Sequence, residues 1–93
     1  MRLDMEGRVA TVGEKVLDLT RLEFDLLHIL LLNAGRVLTR QRLLEQVWGY
    51  DFGGDTRAVD SAIKRLRTCL RAAGMQAEII EAVRGLGYKF RVA

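Results

Sequence analysis

The spacing of apolar residues changes several times along this chain, and each change marks an element. Through residues 1–19 apolar and polar positions tend to alternate. RLDM (2–5), RVATV (8–12) and KVLDL (15–19) are short runs divided by Glu6-Gly7 and Gly13-Glu14. Alternation puts every second side chain on one face of a strand, so these runs predict a small antiparallel meander, too slight to be stable without a partner layer. From Thr20 the spacing becomes helical. Thr20 and Glu23 are set three apart as a capping box, and Leu19 and Phe24 have the spacing of a hydrophobic staple. Leu22, Phe24, Leu26, Leu27 and Ile29 through Leu32 leave only a narrow polar stripe, Arg21–Asp25–His28. That predicts a helix central to the core, with Gly35 placed to cap its end.

A second, shorter helix is expected from about Arg40 to Val47, with Thr39 as N-cap, Leu43, Leu44 and Val47 turned inward and Gly49 as the stop. WGYDFGGD (48–55) has no period and reads as a loop. TRAVDSAIKRLRTCLR (56–71) then restores helical spacing. At 100° per residue Val59, Ile63, Leu66 and Leu70 fall within about 60° of one another. Arg57, Asp60, Ser61, Lys64, Thr68 and Arg71 occupy the opposite side, with Arg65 and Arg67 at its two flanks. Last, IIEAVR (79–84) and YKFRV (88–92) flank Gly85-Leu86-Gly87 and predict a hairpin. Tyr88, Phe90 and Val92 should share one face, Lys89 and Arg91 the other, with Arg84 near the tip.

In order these are strands (1–19), three helices (20–73) and a C-terminal hairpin (79–92), expected to form one domain over 1–93. The expected fold is α+β, a winged helix-turn-helix with a small N-terminal antiparallel sheet and a C-terminal β-hairpin wing.

Charge sharpens this picture. Residues 1–56 carry seven basic and nine acidic side chains, whereas residues 57–93 carry eight basic and three acidic. The overall net charge of +3 is therefore concentrated in the C-terminal part, which implies a surface that meets a polyanion. An α-helix fits the major groove of B-DNA, and a two-stranded ribbon reaches a neighbouring groove or the backbone. On this reading residues 57–71 form a recognition helix. Arg65 and Arg67 are suited to guanine or phosphate, Lys64 to phosphate, and Arg57, Ser61, Thr68 and Arg71 to phosphate or base edges. Asp60 is better suited to orienting a neighbouring arginine than to accepting from cytosine. Arg84 would approach a narrow minor groove.

LTRLEFDLLHILLLNAGRVLTRQRLLEQVW, RAVDSAIKRLR and VRGLGYKF together resemble the DNA-binding (effector) domain of two-component response regulators of the OmpR/PhoB family, over nearly the whole chain. The resemblance implies promoter DNA as partner, often bound by two copies on direct repeats, with contacts at Arg57, Lys64, Arg65, Arg67 and Arg84. It also implies that the loop before the recognition helix can contact RNA polymerase, a role that falls on Tyr50, Asp51 and Phe52. Ser61-Ala62 stands where valine–histidine is more usual, which alters the reading surface. No phospho-accepting receiver domain is expected within 93 residues.

Other chemistries find little support. His28 has no second histidine or cysteine at ligand spacing, so no metal site is expected. The chain shows no nucleophile–base pair, carboxylate dyad or phosphate loop, so neither an enzyme nor a cofactor is expected. The single Cys69 is expected at the core boundary, where Arg65 and Arg67 would lower its pKa. No run is long enough to span a bilayer, and a cytoplasmic location is expected. Three functions remain: sequence-specific duplex binding for transcriptional control; a winged-helix protein-interaction module docking an acidic partner or RNA polymerase; and RNA binding, against which stands the lack of an evident exposed aromatic platform for stacking bases.

Overall fold

The computed structural model describes residues 1–50 and 52–92. Strands β1 (Arg2–Asp4), β2 (Val9–Val12) and β3 (Lys15–Val16) form an antiparallel sheet in that order, with Leu3 opposite Ala10 and Thr11 opposite Val16. Ala10 and Leu17 are buried, so the sheet gains the partner layer that its size demands.

Helix α1 (Arg21–Leu32) begins at the expected capping box. The Thr20 hydroxyl accepts from the Glu23 N–H at 3.2 Å, and the Glu23 carboxylate accepts from the Thr20 N–H at 3.0 Å. Phe24, Leu26, Leu27 and Leu30 are buried, whereas Leu22 and Leu32 reach solvent. The helix closes on Asn33, whose side-chain amide donates to the Ile29 carbonyl, rather than on Gly35.

Strand β4 (Leu38–Thr39) follows, an element that the hydrophobic pattern does not reveal. Thr39 also caps α2 (Arg40–Leu43), its hydroxyl accepting from the Arg42 N–H at 3.0 Å. The expected α-helix to Val47 is corrected here: from Leu44 to Trp48 the turn widens to π pitch, and the Gly49 N–H donates back to the Leu44 carbonyl.

Helix α3 (Arg57–Ala72) lays Val59, Ile63, Leu66 and Leu70 into the core against α1. It ends in a Schellman motif: the Met75 N–H donates to the Leu70 carbonyl and the Gly74 N–H to that of Arg71, with Gly74 at φ +91°. A short 3₁₀ turn (Ala77–Ile79) leads into β5 (Ile80–Val83) and β6 (Gly87–Phe90).

The hairpin is narrower than 79–92 and is not two-stranded. β4 pairs with β6, so the order is β4-β6-β5, with Leu38 opposite Tyr88 and Thr39 opposite Gly87. Tyr88 and Phe90 face the core as expected. Val92 does not: it lies beyond β6 and is 67% exposed, because the ladder has already ended.

Candidate nucleic-acid interface

The buried flank of α3 fixes what its other side can present. Arg57, Ser61, Lys64, Arg65, Thr68 and Arg71 are all exposed, while Arg67 is half-buried. The two flanking arginines behave differently from the residues between them. Arg65 leans toward the start of α1, where its Nε lies 3.1 Å from the second carboxylate oxygen of Glu23. Arg67 leans toward the hairpin, where its Nε donates at 3.0 Å to the Ile80 carbonyl of β5 and its guanidinium stacks over the Tyr88 ring. At the N-terminus of α3, Arg57 is paired with exposed Asp55, whose carboxylate also accepts from the Arg57 N–H. The Thr68 hydroxyl donates to the Lys64 carbonyl one turn earlier. Arg84 is exposed at the turn between β5 and β6.

Asp60 does what its position suggested, with partners the sequence did not identify. One of its oxygens accepts from Arg40 Nε at 2.8 Å and from the Tyr88 hydroxyl at 2.5 Å. The Arg40 guanidinium also sits 5.2 Å from the Tyr88 ring centroid. α2, α3 and β6 are thus joined through one carboxylate, and the ring carries an arginine from each helix. Burial alone would raise the Asp60 carboxyl, but the hydrogen bonds from Tyr88 and Arg40 outweigh it and hold the group below the ordinary aspartate value. Burial, reinforced by Asp60, raises the Tyr88 hydroxyl.

Because the Asp60 value is depressed in the folded state, its contribution is present above the unfolded value of about 4 and is lost as pH falls through the folded value. Two hydrogen bonds to a charged acceptor, discounted for a side chain that is partly exposed, amount to about 1 kcal/mol. Asp60→Asn should therefore lower stability by about that much at pH 7 in urea denaturation, with the gap closing below about pH 4. An equal gap at pH 7 and pH 3 would remove the carboxylate from this role.

Cys69 corrects a second expectation. Its thiol donates to the Asp18 carbonyl at 3.5 Å, and burial, followed by the charges of Glu23 and Asp18, raises its pKa. Arg65 opposes that shift without overcoming it. His28 joins no group of metal-ligating residues among the described residues. In the loop after α2, Tyr50 and Phe52 are exposed, and Phe52 lies at a tilt to Trp48, which packs partly on the core. Asp51, the third expected residue of that loop, lies outside the described residues. Arg40 and Tyr88 are the participants that sequence reasoning missed. The available signal was a basic residue directly after the Thr39 cap and an aromatic in the hairpin bearing a hydroxyl that needs a partner.

Residues 13–90 match the family described as "Transcriptional regulatory protein, C terminal". The chain is 45% identical over 89 residues to the sensory transduction protein RegX3 of Mycobacterium leprae, covering 96% of this chain and 45% of that protein. It is 53% identical over 78 residues to the uncharacterized transcriptional regulatory protein YclJ of Bacillus subtilis, covering 84% of this chain and 34% of that one. The chain therefore spans less than half the length of these curated relatives. Among solved structures, the Klebsiella pneumoniae RstA DNA-binding domain in complex with the RstA box is similar at 34% identity and a TM-score of 0.82, covering 96% of this chain and 88% of that one.

Proposed function

The chain belongs to the family of transcriptional regulatory protein C-terminal domains, the effector domains of OmpR/PhoB-type response regulators, and on that premise we propose that it binds double-stranded promoter DNA sequence-specifically. The family is a non-enzymatic one. The observation that carries the proposal is α3 itself: a fully buried apolar flank opposite an exposed face bearing Arg57, Ser61, Lys64, Thr68 and Arg71. A helix held this way can lie in a major groove without giving up its anchor.

The side chains divide the work. Ser61, Lys64, Arg65, Thr68 and Arg71 face the groove and its phosphates, and Arg57 contacts backbone at the helix start. Arg84 reaches the flanking groove from the hairpin turn. Arg67 holds the wing against α3 and has a remaining amine for a phosphate beside it. Residues 1–93 act as one winged-helix domain, in the cytoplasm where a bacterial promoter is found. A second copy on a direct repeat is part of the same reading.

Selection from random duplexes, followed by gel-shift titration on the enriched site, tests it. A reproducible motif is expected, with log K falling by about 0.9 per neutralised phosphate as log salt rises. Lys64→Ala should weaken binding similarly on all sequences and reduce the salt slope by about 1. Weak, unselective binding would instead favour the protein-docking reading. Exposed Tyr50 and Phe52, two aromatics in a loop outside the core, are the observation on its side and are where an RNA polymerase contact would fall.

A further inference from the structure

Glu23 stands apart among the carboxylates described. It is 4% exposed, and its two oxygens serve different elements. One completes the α1 cap by accepting from the Thr20 N–H at 3.0 Å, and the other lies 3.1 Å from Arg65 Nε on α3. A buried carboxylate needs a paired cation, and Arg65 is the cation it has. The arginine side chain nevertheless stays 72% exposed. The guanidinium nitrogen nearest Glu23 is the inner one, Nε, and the two terminal nitrogens have no protein hydrogen-bond partner among the described residues. Around the pair, Thr20, Arg21 and Leu22 of the α1 start, Trp48, and Ser61 and Ala62 of α3 form a shallow walled recess. The guanidinium is thus held at one end by a fixed charge, while most of the side chain stays open to solvent beside Ser61.

We infer that Glu23 is a specificity-determining positioning residue, which holds Arg65 so that its terminal amine pair is presented edge-on to a guanine in the major groove. This rests on the duplex-binding reading above. Guanine O6 and N7 accept two parallel N–H groups from one edge of a guanidinium, and the gain depends on that edge being aimed before contact. An unrestrained arginine would have to give up its rotamer freedom on binding, and its charge would be as well satisfied by any nearby phosphate. Glu23 therefore converts a general cation into a reader of one base position, although it lies on α1 and touches no DNA.

The test uses two variants, singly and together, against the site selected by the wild-type domain and against duplexes changed at each base in turn. Glu23→Gln keeps a side chain that completes a capping box, so α1 should remain formed, but it removes the charge behind Arg65. Expected are a roughly tenfold loss of affinity for the selected site and collapse of discrimination at one G·C position, with other positions and the salt slope unchanged. Arg65→Ala should lose discrimination at the same position, by roughly 5- to 100-fold. Glu23→Gln should add nothing further to it in the double variant. Circular dichroism and urea unfolding on the same proteins separate a folding defect from a lost contact. Unchanged discrimination in Glu23→Gln, or losses that add in the double variant, would overturn the inference while leaving duplex binding intact. If the wild type selects no motif, the functional reading itself fails, and this inference with it.

Discussion

Gly87→Ala should destabilise the domain by about 3 kcal/mol, measured as a lowered urea midpoint with unchanged slope. Gly87 heads β6 directly opposite Thr39 of β4, and a Cβ built there would lie 2.0 Å from the Leu38 carbonyl oxygen and 2.9 Å from the Thr39 Cα. Those atoms belong to the backbone, so no rotamer change can relieve the overlap. The two strands must separate or shift register. Tyr88 is the next residue, and moving it would also strain its hydroxyl contact to Asp60 and the two arginines on its ring. Gly53→Ala, in the loop with open space around it, is the control and should change stability by less than about 0.5 kcal/mol. If Gly87→Ala unfolded with the wild type, the close pairing of β4 with β6 would be wrong.

Leu66→Ala should cost about 2–5 kcal/mol, because Leu66 is completely buried at the middle of the α3 anchor and its truncation leaves a cavity between helices. A domain of this length has about 5–14 kcal/mol in all, so much of the margin disappears. The consequence for binding differs from that of a surface change. Leu66 lies between Arg65 and Arg67 in sequence but points away from the exposed face, so its loss should reduce the fraction of active protein and leave the affinity of the folded fraction near normal. Active-site titration of the gel shift at low temperature, alongside a circular-dichroism melt, separates these two quantities. A variant that melted like the wild type would show that the apolar flank is not what secures α3.

The features legible in the sequence are those that local rules encode. The α3 pattern identified both the buried flank and the exposed face, and Thr20 with Glu23 marked the start of α1, since both signals lie within a few residues of each other. The wheel also placed Arg65 and Arg67 at the two edges, but could not say what stood beside each edge. Their partners, Glu23 and the Ile80 carbonyl, come from other elements and follow only from tertiary packing. β4 was hidden for another reason: two residues are too few to show a period, and Thr39 advertised itself as a helix cap, which it also is. Gly87 reads as part of a turn because its sequence neighbours are Gly85 and Leu86. Its actual constraint is the opposing strand. Arg65 and Arg67 are near Cys69 in sequence, but burial and the carboxylates of Glu23 and Asp18 set the direction of its shift.

The short strand ahead of α2 also bears on biosynthesis. Leu38 and Thr39 are translated well before Tyr88 and Gly87, the residues that complete their ladder. At ordinary elongation rates that interval is about 2–10 s. During it the helices can gather around α1, but the sheet lacks β6, the central strand that joins β4 to β5, so the β4 ladder closes only after Gly87 and Tyr88 emerge from the ribosome.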